Sequence, residues 1–222
     1  MRQIIFTRLF NTSLVILAGL LAMPVTGAAQ EVSGQAKAVQ ATVLGITSVL
    51  ADTGTLSGED DARESSQSTG GVSSLGNAKT LHAATVSSVY GWDSADFVSS
   101  EASLADLGLG ISGNTISADF LMAEALAPVG GSNTGSTSIA GLLINGMPVA
   151  VTGAVNQTIP LLGGKVIINE QQNTPSGDIV VNALHIIVDG VADVVLASAT
   201  AGANSGSSST GSSGGGLLGL GL

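Results

Sequence analysis

The sequence predicts an all-β fold, a two-sheet antiparallel β-sandwich, and three observations carry that expectation. Between Glu31 and Ala201, short runs rich in Val, Ile, Thr, Ala and Ser are separated by Gly, Asn, Asp and Pro clusters, the punctuation of strands and turns. Several runs alternate apolar and polar residues, while Gly and β-branched residues interrupt nearly every window a helix would need. The chain is 44% hydrophobic yet has one Trp, one Tyr and four Phe, so its core must be assembled from Val, Ile, Leu and Ala. A β-solenoid is the second architecture to consider, although no regular repeat period is present.

The first element is a targeting segment. Arg2 and Arg8 precede an apolar run from Leu14 to Val25, followed by the small residues Thr26 to Ala29. That run is too short to span a bilayer, and the arrangement reads as a secretory signal peptide over residues 1–29, cleaved after Ala29. The exported β-rich domain then covers 30–201. Its first polar interruption, Ser57 to Gly76, and its second, Pro128 to Gly135, both read as mobile surface loops.

Lys79 to Tyr90 and Ser94 to Leu104 read as strands. Ile116, Ala118, Phe120 and Met122 fall on one strand face, with Ser117 and Asp119 on the other. Gly113-Asn114, Asn145-Gly146 and Gly163-Gly164 predict tight hairpins. The longest apolar runs, Val166 to Ile168, Ile179 to Val188 and Val194 to Ala197, belong in central strands, because exposed they would invite edge pairing. In all, nine or ten strands are expected. Residues 202–222 form a Gly/Ser-rich flexible tail ending in a short Leu/Gly stretch.

From Ser138 onward, the segments SIAGLLINGMPVAV, NQTIPLLGGKVIINEQ and DIVVNALHIIVDGVADVVLASATAG follow one another. In order and spacing they resemble the C-terminal half of the bacterial choice-of-anchor P proteins, most sharply at VNALHIIV and DVVLASA. The resemblance covers about residues 35–202 and is strongest over 138–202. It implies an exported, extracytoplasmic β-rich domain, tethered to the envelope by differing C-terminal devices, and it implies no activity. No LPxTG sequence, basic cluster after an apolar span, or span of sufficient length stands at this chain's end.

Charge and residue inventory narrow the function classes. With 6 Lys and Arg against 16 Asp and Glu, the chain has no basic cluster to displace phosphate counterions, which argues against nucleic acid as a partner. The absence of Cys excludes disulfides, thiolate metal sites and cysteine nucleophiles. His82 and His185 sit in strand text without G-x-S-x-G, S-x-x-K or HExxH, so each reads as a strand histidine with a polar partner, not a catalytic base or zinc ligand.

Carboxylates are the plentiful reactive group. Tyr90 and Trp92 beside Asp93 and Asp96 form the strongest polar-aromatic cluster, a candidate carbohydrate contact; alternatively Gly91 makes a turn that Trp92 covers and Asp93 solvates. Glu59, Asp60, Asp61 and Glu64 are weak calcium candidates, with a solvated acidic loop as the plainer reading. The expectation is therefore an exported, non-catalytic structural or adhesive protein, with wall or extracellular polysaccharide or self-association as its partner. A glycan-binding module is the alternative, and a carboxylate-based hydrolase the remote one.

Overall fold

The computed structural model describes residues 31–56 and 58–204; the expected signal peptide and most of the expected tail lie outside the described residues. In chain order the strands are β1 (Glu31–Val43), β2 (Ile46–Asp52), β3 (Asp60–Val72), β4 (Gly76–Ser88), β5 (Phe97–Ile111), β6 (Asn114–Pro128) and β7 (Thr134–Ala140). They continue with β8 (Leu143–Ile144), β9 (Met147–Pro148), β10 (Gln157–Leu161), β11 (Gly164–Asn173), β12 (Ile179–Val188) and β13 (Ala192–Asn204). One sheet has the order β10-β11-β12-β13-β1-β2, and the other β3-β4-β5-β6-β8-β9 with β7 also paired to β6. The two sheets pack face to face, all pairings are antiparallel, and the expected sandwich is what forms.

The apolar runs expected in central strands are there, as β11, β12 and β13 in the interior of the six-stranded sheet. Among the described residues the largest fully buried side chains are aliphatic, among them Leu81, Leu104, Leu121, Ile168, Leu184, Ile186 and Leu196. The chain crosses between sheets after β2, where Thr53 and Leu56 donate their amides to Ala36 and Gly34 carbonyls. Gly34 has to be glycine: a Cβ there would collide with Leu56 and with Thr85 Oγ1. Ser100 Oγ, on β5, donates to the Thr200 carbonyl of β13 at 2.6 Å and ties the two sheets through the core.

Several expectations need correction. Ser57 to Gly76 is not a loop: it contains β3, an edge strand paired along its length with β4. Its charged and polar residues protect an exposed edge, and that same polarity erased the alternation by which a strand is read. β13 continues past Ala201 to Asn204, which pairs with Glu31. Asn145 (φ 51°) and Gly146 (φ 74°) form the expected turn, but the neighbouring hairpins turn one residue earlier than their sequences suggested, at Ser112-Gly113 and Leu162-Gly163. Gly164 is a strand residue whose Cβ would strike the Ile187 carbonyl oxygen, and Asn114 is buried, donating to the carbonyls of Ile111 and Leu162.

The largest departure concerns which residues face inward. In a regular strand successive side chains alternate faces. In the six-stranded sheet this alternation reverses along one transverse row, Asn169, Ala183, Ala197, Ala38 and Ala51, where the regular pairing of all four neighbouring strand pairs skips a step. Alternate strands hold a left-handed residue there: Asn169 (φ 52°), Ala197 (φ 51°) and Ala51 (φ 48°). Two consecutive residues then face the core, Ala38 and Val39, Ala183 and Leu184, Leu196 and Ala197, and one of each pair is Ala because two large neighbours would crowd.

The seven-stranded sheet reverses in the opposite sense. Asp106 (φ 47°) and Thr80 (φ 49°) mark a row where two consecutive residues face outward, Lys79 and Thr80 on β4, Ala105 and Asp106 on β5, Asp119 and Phe120 on β6. The expected face Ile116, Ala118, Phe120, Met122 is therefore broken: Ile116 and Ala118 face the core, and after the reversal Leu121, Ala123, Ala125 and Ala127 do.

Candidate functional site

Two surfaces gather polar side chains. The first is a corner at the β4–β5 connection, where the aromatic cluster and the acidic stretch come together. The Tyr90 hydroxyl donates to Asp60 Oδ1 at 3.3 Å, and Trp92 Nε1 donates to Glu59 Oε1 at 2.9 Å. Asp96 is buried beneath the loop, its Oδ2 accepting the amides of Gly91 at 3.0 Å and Asp93 at 3.1 Å. Those amides, Gly91 foremost and then the lesser contributions of Tyr90, Asp93 and Trp92, hold the Asp96 carboxyl below the usual aspartate range against the opposing effect of burial. Asp93 closes an Asx turn, its Oδ1 accepting the Ala95 amide at 2.8 Å.

Trp92 adopts φ 56°, a costly conformation for a bulky residue, and packs half-buried against the core, while Tyr90 is 74% exposed. The four acids named as weak calcium candidates, Glu59, Asp60, Asp61 and Glu64, diverge. Asp61 accepts from Arg63 Nε at 3.0 Å on one side of β3, and Glu64 faces His82 at 3.3 Å. Among the described residues no three His, Asp or Glu side chains gather as metal ligands.

The second surface lies on the outer face of the six-stranded sheet and follows from the reversal row. Two consecutive inward residues leave a gap on the opposite face, so outward positions jump from Lys37 to Gln40, Asn182 to His185, Val195 to Ser198 and Ile167 to Glu170. These gaps align into a transverse trough.

Two side-chain bridges cross it. On β1, Lys37 Nζ donates to Gln40 Oε1 at 3.1 Å. Between β12 and β11, His185 Nδ1 meets Glu170 Oε2 at 2.8 Å, and that carboxylate oxygen also accepts Asn182 Nδ2 at 2.7 Å. His185 Nε2 reaches Asp193 Oδ1 at 3.0 Å, so both ring nitrogens face carboxylates. Glu170 is 6% exposed, sealed under Asn182 and His185.

His82 faces outward on the seven-stranded sheet and His185 outward on the six-stranded sheet, so the two histidines stand on opposite faces of the sandwich with separate carboxylate partners. The expected pairing of each with a polar group is what is found. The corner was legible because its residues are contiguous in sequence. The trough was not, yet one signal was present: Asn182 and His185 are three apart in an apolar strand, and two polar residues at odd spacing share a face only if the alternation reverses between them.

Compared with known protein families, with curated proteins and with solved structures, the chain matches none of them. No helix among the described residues is long and apolar enough to cross a membrane.

Proposed function

We propose that this chain is an exported, non-catalytic structural or adhesive module of the bacterial envelope or extracellular space, akin to the choice-of-anchor P proteins. The observation that supports it is the fate of the carboxylates at the corner. Glu59, Asp60 and Asp96 each accept hydrogen bonds from the aromatic loop itself, and Asp93 shapes its turn, so the acids act as scaffold for that loop. A carboxylate hydrolase instead needs a pair aimed at a shared substrate position.

The test combines location and chemistry. Producing cells are fractionated and the intact mass of the protein is taken, and the purified protein is incubated with soluble wall and extracellular polysaccharides while new reducing ends are measured. A mass that begins at Gln30, found outside the cytoplasm, and no new reducing ends are expected. A full-length cytoplasmic protein, or cleavage that disappears in Asp93→Asn or Asp96→Asn, would overturn the reading.

A second reading, glycan contact at the corner, is favoured by the exposed ring of Tyr90 beside Trp92. Trp92→Ala separates stacking from packing: lost affinity at unchanged stability supports contact, and lost stability alone makes Trp92 a core cover.

A further inference from the structure

We infer that the outer edge of β2 is the site at which the chain pairs with a second copy of itself, antiparallel and about a two-fold axis through Ser48. The inference rests on the structural reading above, for which it names a partner. It can fail alone, because association is measured on purified protein and says nothing of location or cleavage.

The register fixes which backbone groups of β2 are open. The two-residue turn Leu44-Gly45 makes Val43 and Ile46 the hydrogen-bonded closing pair of the hairpin, so Ile46, Ser48 and Leu50 turn their backbone groups toward β1. Thr47 and Val49 turn theirs outward, and among the described residues nothing bonds to them. Both lie ahead of the reversal at Ala51, in the regular part of the strand.

The other edges are guarded. β10 carries Pro160 where an outward N–H would stand, since the Leu162-Gly163 turn directs Ile159 and Leu161 toward β11. β9 is two residues long and ends in Pro148. β7 lies against β12, and its Gly135 carbonyl accepts Gln171 Nε2 at 3.1 Å. β3 opens with Asp60, Asp61, Arg63 and Glu64. β2 has neither proline nor charge before Asp52.

Charge and symmetry select a copy of the chain as the occupant. A chain of net charge −10 repels itself wherever carboxylates meet. From Leu44 to Ala51 there is no ionisable group, nor from Ser65 to Leu75 alongside, where Ser73 Oγ lies 2.7 Å from Ser48 Oγ. The two-fold places Thr47 opposite Val49 of the second copy and Val49 opposite its Thr47. The open donors and acceptors of each edge are then met by the identical set on the other. The same register sets Ile46, 76% exposed, against the half-buried Leu50 of the copy. The two six-stranded sheets thereby run on as one.

Sedimentation velocity of the mature chain over a range of concentrations tests this. A monomer–dimer equilibrium is expected, and added salt should not dissolve it, because no ion pair holds it. Val49→Pro deletes an outward N–H without touching the β1–β2 ladder, and the exposed Thr47→Lys sets a charge on each side of the two-fold. Each should weaken the dimer about tenfold or more. If Val49→Pro unfolds the edge, Thr47→Lys decides alone. In a chain with no cysteine, Ser48→Cys should cross-link to its copy on oxidation, because a non-hydrogen-bonded pair holds its two Cα atoms about 4.5 Å apart, within disulfide reach. A chain monomeric at every concentration, a dimer that survives Thr47→Lys, or a dimer in which Ser48→Cys does not cross-link would overturn the inference. So would a chain that dimerises only once residues 205–222 are deleted, which would give the edge to that segment.

Discussion

The corner and the trough show two ways in which a β-sandwich comes to carry polar residues. At the corner a loop folds onto itself: Tyr90, Trp92, Asp93 and Asp96 are near neighbours in sequence, and their hydrogen-bonding groups are met by that loop and by Glu59 and Asp60. In the trough, Lys37, Glu170, Asn182, His185 and Ser198 come from four strands and are brought together by one row of backbone reversals. The corner is conspicuous in sequence and internally satisfied. The trough is inconspicuous and leaves the buried Asn182 carbonyl oxygen without a hydrogen-bond partner. Conspicuous clustering in a sequence thus reflects local loop chemistry as readily as a binding site.

Substitutions beneath each surface sharpen this contrast. Leu196, fully buried under the trough beside Ala197, should have the largest effect: Leu196→Ala is expected to cost about 2–5 kcal/mol in urea unfolding. Next comes Ala197 itself. Ala197→Val adds a β-branched side chain to a left-handed position facing a filled core and should cost about 2–3 kcal/mol. Ala197→Gly, which relieves the backbone but frees the unfolded chain, should stay within about 1 kcal/mol of the parent. Equal effects of Val and Gly would contradict the left-handed assignment.

At the corner the expected signature is a pH dependence. The folded Asp96 carboxyl titrates below its ordinary value, so its contribution to stability is fully present above that ordinary value, about 4, and is lost as pH falls through the lower folded value. Acid unfolding curves of the parent and Asp96→Asn should therefore converge on the acid side and separate above about pH 4, with the parent the more stable. Curves that stay parallel throughout would remove Asp96 from its place under the loop. The smallest effect is expected for Tyr90→Phe, which deletes one solvent-exposed bond and should shift stability by no more than about 0.5 kcal/mol in the same unfolding assay.

How far the sequence announces this architecture depends on what each residue type can signal. Aliphatic runs such as Ile179 to Val188 mark central strands because on an edge they would invite pairing with another chain. Asn145-Gly146 marks a turn because few other pairs accept two positive φ angles. β3 escaped notice because an edge strand is stabilised against mispairing by the same charges that make it look like a loop. The reversal rows escaped for another reason: Ala197 and Ala51 adopt left-handed backbone that nothing about alanine advertises, although Asn169 and Asp106, of types that tolerate it, stand in the same rows. Without the reversals, Phe120 and Met122 fall on the wrong face and the trough does not exist.

The native chain has no cysteine, so single cysteines can be placed at Lys37, Ala38, Val39 and Gln40, and at Val195 to Ser198, and their reactivity with a water-soluble maleimide measured in the folded protein. The reversal predicts that positions 38 and 39, and 196 and 197, are protected as adjacent pairs while 37, 40, 195 and 198 react. Strict alternation of protected and reactive positions through either segment would contradict it, and with it the trough.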